Sequence, residues 1–445
     1  MDVEKIKNKI ITISGEPVTG KGTTVAAVVE KLKKRGYREK NIHVITTGHE
    51  FRNYFNAIVE ECISNPDFIS NLNNIKKLKK IAKSKEIQSI LNDSDYSKEF
   101  IKEIEKFKSK MQDSNTRTEL IKRLTNQRKV SKKTSAPLIT IEEANNMPEL
   151  DGIRKLVDTV IDENTKKLGE EINQKNRPNE VWIIDSRLAF DKIPNSFSVR
   201  LTCRPDIAGK RLFNDKKRGR EDSGYKNVEA AIAEREKRKN GEIKRYKERY
   251  KIDLTLEDNY KLVIDTSFSS IDDISDTILT CLDRYSEGKE FTRNWISPIA
   301  LVGTQFMGET CDSSYDVKRK INGDCIEPGN LYSWIDFFKN NPFNPALKFA
   351  VPVNEIEGIK YLVDGHHRNF SMLLAGKTLI PYQVINGRPD PSRGIYNGVL
   401  DHEKIINCYY EKLYGKELNF KYSSIYPNIK DVSLELDGKN NEKVR

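Results

Sequence analysis

Short apolar runs alternate with segments whose apolar residues recur at helical spacing. Residues 8–14, "NKIITIS", read as a buried strand, "TTVAAVVEKLKKRG" (23–36) as a helix stopped at Gly36, and "NIHVITTG" (41–48) as a second strand. A strand, a glycine-bearing turn, a helix and a strand in that order predict a β-α-β unit, hence a parallel sheet covered by helices. "EVWIIDSRL" (180–188), "FSVRLTC" (197–203) and "YKLVIDTS" (260–267) add buried strands, so residues 1–290 are expected to form one α/β domain. Between about 66 and 135 the chain turns lysine-, asparagine- and serine-rich with apolar residues at helical spacing, as in "IKEIEKFKSKMQ" (101–112), which predicts a helical insertion. A second basic helical stretch covers 216–250. A new pattern starts after 295: strands at 296–302, 348–353, 359–363 and 379–385 with a helix at 367–376 predict a small α+β domain over 296–420, followed by a polar tail over 421–445.

Composition adds limits to this picture. A chain of 445 residues exceeds what one core usually organises, which fits two domains. With 32% charged residues and no apolar run approaching the ~18 residues of a membrane helix, a soluble chain with no membrane partner is expected. The first ten residues, "MDVEKIKNKI", lack the apolar centre of a signal peptide, so the expected location is cytoplasmic. The formal charge of +11 favours anionic partners, nucleotides or nucleic acid, although lysines on solvated helix faces give the same charge. Six cysteines without a C-x-x-C pair suggest neither a zinc ribbon nor a disulfide framework.

The candidate chemistry starts at "ISGEPVTGKGTT" (13–24). Gly15-x-x-x-x-Gly20-Lys21 has the spacing of a phosphate loop: glycines let the backbone wrap an anion, amides at a helix N-terminus bind it, and the lysine adds a point charge. Gly22 stands where the strict pattern has Ser or Thr, and Thr23 and Thr24 follow.

The order Gly-Lys-Gly-Thr resembles adenylate and cytidylate kinases. "TTGHEFRNY" (46–54), "PELDGIRKLVD" (148–158), "VWIIDSRLAF" (181–190) and above all "EIKRYKERYKIDLTLEDNYKLVIDTS" (242–267) resemble successive segments of archaeal-type cytidylate kinases. The likeness spans roughly 8–285 and implies a P-loop kinase using ATP and Mg2+. It assigns Gly15, Gly20, Lys21, Gly22, Thr23 and Thr24 to the ATP phosphates, with Thr23 also serving the metal. Arg52 and Arg187 would hold the acceptor's phosphate or the transferring group, and Asp185 would support the metal or orient the acceptor. A lid over about 208–250 would bring Arg211, Arg218, Arg220, Arg238 and Arg245 to the phosphates. The family's Arg-Glu-x-Ser-Glu-x-x-Arg-Tyr run reads here Arg238-Lys-Asn-Gly-Glu-Ile-Lys-Arg245-Tyr, changed at two positions. The implied acceptor is CMP or dCMP.

"YLVDGHHRNFSMLLAGKTLIPYQVI" (361–385) resembles the ParB/sulfiredoxin-like fold, and its Asp364-Gly365-His366-His367-Arg368 turn most resembles the free-serine kinases of that fold. His366 stands where sulfiredoxins carry cysteine, so sulfinic-acid reduction is not expected. The resemblance implies phosphate binding by Gly365, His366, His367 and Arg368, with Asp364 as base or metal holder and Glu327 as a partner carboxylate. Two further readings follow: a second kinase for a serine-type hydroxyl, or a nucleotide-sensing or DNA-contacting module directing the first domain to a modified base.

Overall fold

The fold is that of a computed structural model which describes residues 9–110, 150–175, 179–214, 225–304, 331–340, 350–385 and 394–441, with the short pieces 320–321, 325–326, 387 and 389. Arg218, Arg220, Glu327 and the stretch 111–135 of the expected insertion lie outside these residues.

The chain opens as its apolar pattern predicts: β1 (Lys9–Gly15), α1 (Lys21–Lys34), β2 (Ile42–Thr46), α2 (Thr47–Ser64). Four helices follow, α3 (Pro66–Ser70), α4 (Ile75–Ile81), α5 (Lys85–Asn92) and α6 (Ser94–Lys110). Side chains of Asn65, Asn74 and Ser84 accept the backbone N–H three residues on and so start α3, α4 and α5. Their apolar faces, with Phe68, Leu78, Ile87, Phe100 and Phe107, close on Phe55 and Ile58 of α2 and on Leu156 and Val157 of the 25-residue α7 (Asp151–Lys175). The insertion thus builds its own core beside the sheet.

After α7 come β3 (Val181–Asp185), α8 (Ala189–Lys192), β4 (Phe197–Thr202), α9 (Pro205–Asn214), α10 (Val228–Tyr250), β5 (Leu262–Asp265), α11 (Ile271–Ser286) and β6 (Asn294–Ile296). The last part holds β7 (Leu301–Val302), the small ladder β8 (Lys320–Ile321) with β9 (Cys325–Ile326), α12 (Leu331–Asn340), β10 (Val351–Ile356), β11 (Ile359–Leu362), α13 (His366–Leu374), β12 (Ile380–Val384), α14 (Ile395–Tyr414) and α15 (Ile429–Asn441).

Ten strands form one sheet in the order β2-β3-β1-β4-β5-β6-β12-β10-β11-β7. From β2 to β6 every neighbouring pair is parallel; β12 and β10 run the other way, and β11 and β7 turn back into the first direction. The protein is therefore α/β with a mostly parallel, mixed sheet. β6 joins the two regions: it pairs parallel with β5 through Asn294 and Trp295, and antiparallel with β12 along its other edge. Trp295, 1% exposed, shares a core with Leu262 and Ile264 of β5 and with Leu379 just before β12.

Two expectations need correction. The segment read as a polar tail packs instead: Tyr422, Ile425, Tyr426, Ile429 and Val432 are buried against β11, α13 and α14, because its few apolar residues fall on one face. Cys408 is disulfide-bonded, whereas Cys62, Cys203 and Cys281 are free thiols. Among the described residues no helix is long and apolar enough to cross a membrane.

Because β6 lies between the two regions, Trp295→Ala is expected to cost about 3–5 kcal/mol. In hydrogen exchange after mild urea, amides of β5 and of β12 should lose protection together; loss confined to one side would show that β6 does not couple them.

Candidate active site at the sheet edge

All strands from β2 to β6 end at one edge, where an open parallel sheet places its ligand crevice. β1 leaves the sheet at Gly15, where a Cβ would come within 2.7 Å of the Leu201 carbonyl oxygen. The loop to α1 then takes two left-handed residues, Val18 (φ 64°) and Gly20 (φ 83°). For a β-branched residue that conformation costs roughly 1–3 kcal/mol, so the surrounding packing imposes it. No side chain caps α1; the Thr19 hydroxyl donates instead to the Glu16 carbonyl at 3.0 Å. The amides opening this 14-residue helix therefore have no side-chain cap among the described residues, the arrangement that suits an anion.

Lys21, the first residue of α1, reaches back and donates to the Gly15 carbonyl at 3.1 Å. Burial, then the positive charge of Arg187, push its amine down from 10.5 to about 7, against the pull of Asp185 and Glu242. Arg187 follows the end of β3 and pairs with Glu242 of α10 at 2.8 Å. Its second terminal nitrogen is buried with no hydrogen-bond partner among the described residues, an orphan cationic donor inside the crevice. Although burial alone would raise it, Glu242 is held below the usual carboxylate range by Arg187, Arg238, Lys21 and Arg245.

The crevice, about 420 Å³, is bounded by Lys21, Arg52, Arg154, Arg187, Arg238 and Arg245, against four acids, Asp158, Asp162, Asp185 and Glu242. Arg52 enters from the first turns of α2, whose Thr47 hydroxyl donates to the Asp185 carbonyl at 3.2 Å and so ties that helix to the end of β3. Asp158 and Asp162 stand one turn apart on α7. Asp158 pairs with Arg249 at 3.1 Å, and Asp162 accepts from the Tyr250 hydroxyl at 2.5 Å. Burial raises both carboxyls, that of Asp162 to about 6. Gly20, Gly22 and Thr23 also line the crevice, with Thr23 exposed, while Thr24 is buried with an unpartnered hydroxyl. Among the described residues no cluster of three or more His, Cys, Asp or Glu could hold a metal on protein groups alone. The Thr23 hydroxyl and the Asp185 carboxylate do border the same space.

Lys21, Arg52, Asp185, Arg187, Arg238 and Arg245, expected from sequence, therefore share one crevice. Arg211 does not: its guanidinium donates to the Thr266 hydroxyl at 3.2 Å and to the backbone carbonyls of Thr266 and Ser267, bracing α9 against the end of β5. Arg154, Asp162 and Glu242 were missed by sequence reasoning. Glu242 stands at the second Glu of the Arg-Glu-x-Ser-Glu-x-x-Arg-Tyr pattern over 238–246 and Arg154 lies in the segment 148–158, and spacing also marked them: Arg238, Glu242 and Arg245 fall on one helical face, as do Arg154, Asp158 and Asp162.

The turn at 364–368 lies on the same edge, because β11 runs in the direction of β1. Six strand spacings of ~4.8 Å separate β1 from β11, roughly 29 Å. Gly365 is left-handed (φ 80°) and opens α13 without a side-chain cap. Asp364 is exposed, and His367 and Arg368 are half-buried, Arg368 donating to the Ala350 carbonyl at 3.4 Å. His366 is turned inward instead: 3% exposed, it accepts the Thr304 N–H at Nε2 (3.3 Å), and burial drives its imidazole down to about 4. In this position the ring props the β7 end and does not open into the turn's exposed surface.

No protein-family model matches the chain, and no curated protein matches it.

A lysine lowered to about 7 is mostly neutral at pH 8, where an ordinary lysine is charged. Competitive acetylation followed by mass spectrometry should give Lys21 a midpoint near 7; a midpoint near 10.5 would show that the amine is not buried among the arginines. Since the folded value is depressed, the stability penalty is fully present below pH 7 and fades as pH rises towards 10.5. Lys21→Met should thus stabilise the fold most at and below neutral pH.

Proposed function

We propose that the chain is an ATP-dependent phosphotransferase, a P-loop kinase whose donor site is the loop between β1 and α1. The observation that carries this reading is the uncapped start of α1, reached through left-handed Val18 and Gly20, with the buried Lys21 amine and the orphan Arg187 nitrogen beside it. Backbone donors, a point charge and a planar fork are the complement of a polyphosphate.

In this reading the amides opening α1 and the Lys21 amine hold the β- and γ-phosphates. Arg187, Arg238 and Arg245 neutralise charge on the group in transit, and the enclosing helices exclude water. Mg2+ fits as a companion of ATP and not as a resident metal: Thr23 and Asp185 would supply one or two oxygens and the phosphates the rest, and the ion would offset the phosphate charge. On the acceptor side Arg52 and Arg154 suit a phosphate, and Asp158 and Asp162 suit hydroxyl or amine groups. CMP or dCMP, the acceptors implied by the cytidylate kinase likeness, carry both kinds of group.

A second reading assigns the exposed Asp364 and the left-handed, uncapped start of α13 to another nucleotide site, in a ParB/sulfiredoxin-like domain. It would serve a serine-type hydroxyl, or sense nucleotide or contact DNA. At roughly 29 Å from the first site it could not share one phosphoryl group with it.

An acceptor panel of CMP, dCMP, free serine and duplex DNA with labelled ATP separates these readings. Lys21→Ala should lower nucleotide phosphorylation about 100-fold or more, while Asp364→Ala leaves it unchanged. Turnover that survives Lys21→Ala and is lost with Asp364→Ala would transfer the chemistry to the second turn. ATP must also meet a protonated Lys21, so its affinity should fall as pH rises above about 7.

A further inference from the structure

Glu16, the first residue of the phosphate loop, is tied to more cations than any bond within the loop requires. One carboxylate oxygen meets Arg200 of β4 at 3.4 Å and Lys239 of α10 at 3.1 Å; the other meets Arg235 of α10 at 2.5 Å. Arg235 is wholly buried, with a side chain 0% exposed. Among the described residues its other partners are its neighbour Glu236 and the Cys203 carbonyl at 3.1 Å. Arg200 is fixed in turn by donating to the Thr255 carbonyl at 2.7 Å. Losing Glu16 would leave this fully buried guanidinium with Glu236 and the Cys203 carbonyl alone, which disfavours opening the contact.

Helical geometry gives the contact its consequence. Arg235 and Lys239 are one turn apart and face the loop, whereas Arg238, Glu242 and Arg245 face the crevice. One helix is thus clamped to the loop by one face and presents cations to the crevice with the next. Glu16 lies two residues before the left-handed Val18, in the loop that leads to the amides of α1.

We infer that Glu16 is a positioning residue that couples the phosphate loop to α10, so that filling the loop sets where Arg238 and Arg245 stand. The inference rests on the phosphotransferase reading. Its carboxylate touches no substrate in that reading; it acts through the helix.

Hydrogen exchange of segment 228–250, measured with and without MgATP, tests the coupling on the full chain. In the wild type MgATP should slow exchange across 228–250 at least tenfold. Glu16→Gln should bind MgATP within about threefold of wild type by calorimetry while losing most of that protection. Should Glu16→Gln fail to fold, Glu16→Gln with Arg235→Met removes the stranded charge and carries the same expectation. Full protection of 228–250 in a variant lacking the carboxylate, or wild-type binding without protection, would overturn the coupling and leave the donor site intact. No MgATP binding by the wild type would instead overturn the phosphotransferase reading, and this inference with it.

Discussion

Buried positive charge is the constraint on which the crevice depends. Lys21 of α1, Arg187 of the turn after β3, Arg200 of β4 and Arg235 of α10 are all drawn into the space between the sheet edge and α10. Three carboxylates offset it: Asp185 and Glu242 for Lys21, Glu242 for Arg187, and Glu16 for Arg200 and Arg235. The compensation is incomplete: Lys21 is pushed to about 7 and one Arg187 nitrogen has no partner among the described residues. In the phosphotransferase reading proposed above, a bound anion would complete the pairing.

The sheet explains how this charge is held rigidly. Loop, Asp185 and Arg187 all leave the ends of adjacent parallel strands, and β4 carries Arg200 beside them. Through β6 the same sheet continues into the second region, so the turn at 364–368 stands on the edge that carries the loop. Arg204, which follows β4, donates to the Ile425 carbonyl and lies over the rings of Phe268 and Tyr426, adding a second tie between the regions.

Much of this was legible in the sequence. The strand, turn and helix at 9–34 follow from an apolar run, two glycines and helical spacing, and Arg52, Arg187, Arg238 and Arg245 of the crevice from motif positions. What was hidden depends on contacts between distant segments. Nothing local marks Glu16 as a clamp, since Arg200 and Arg235 lie about 180 and 220 residues away. Arg211 and Arg245 read alike as basic lid residues, yet one braces carbonyls of the 266–267 turn and the other lines the crevice. His366 read as an open residue beside a glycine turn, yet its ring is buried against Thr304 and His402. The closing segment was read as polar from its average composition, while its few apolar residues share one face.

The most direct test is a crystal structure of the chain with MgADP. The account requires the diphosphate to sit on the amides that open α1, with the Lys21 amine turned from the Gly15 carbonyl to a phosphate oxygen. A nucleotide found at the 364–368 turn, with Lys21 still bonded to Gly15, would contradict it.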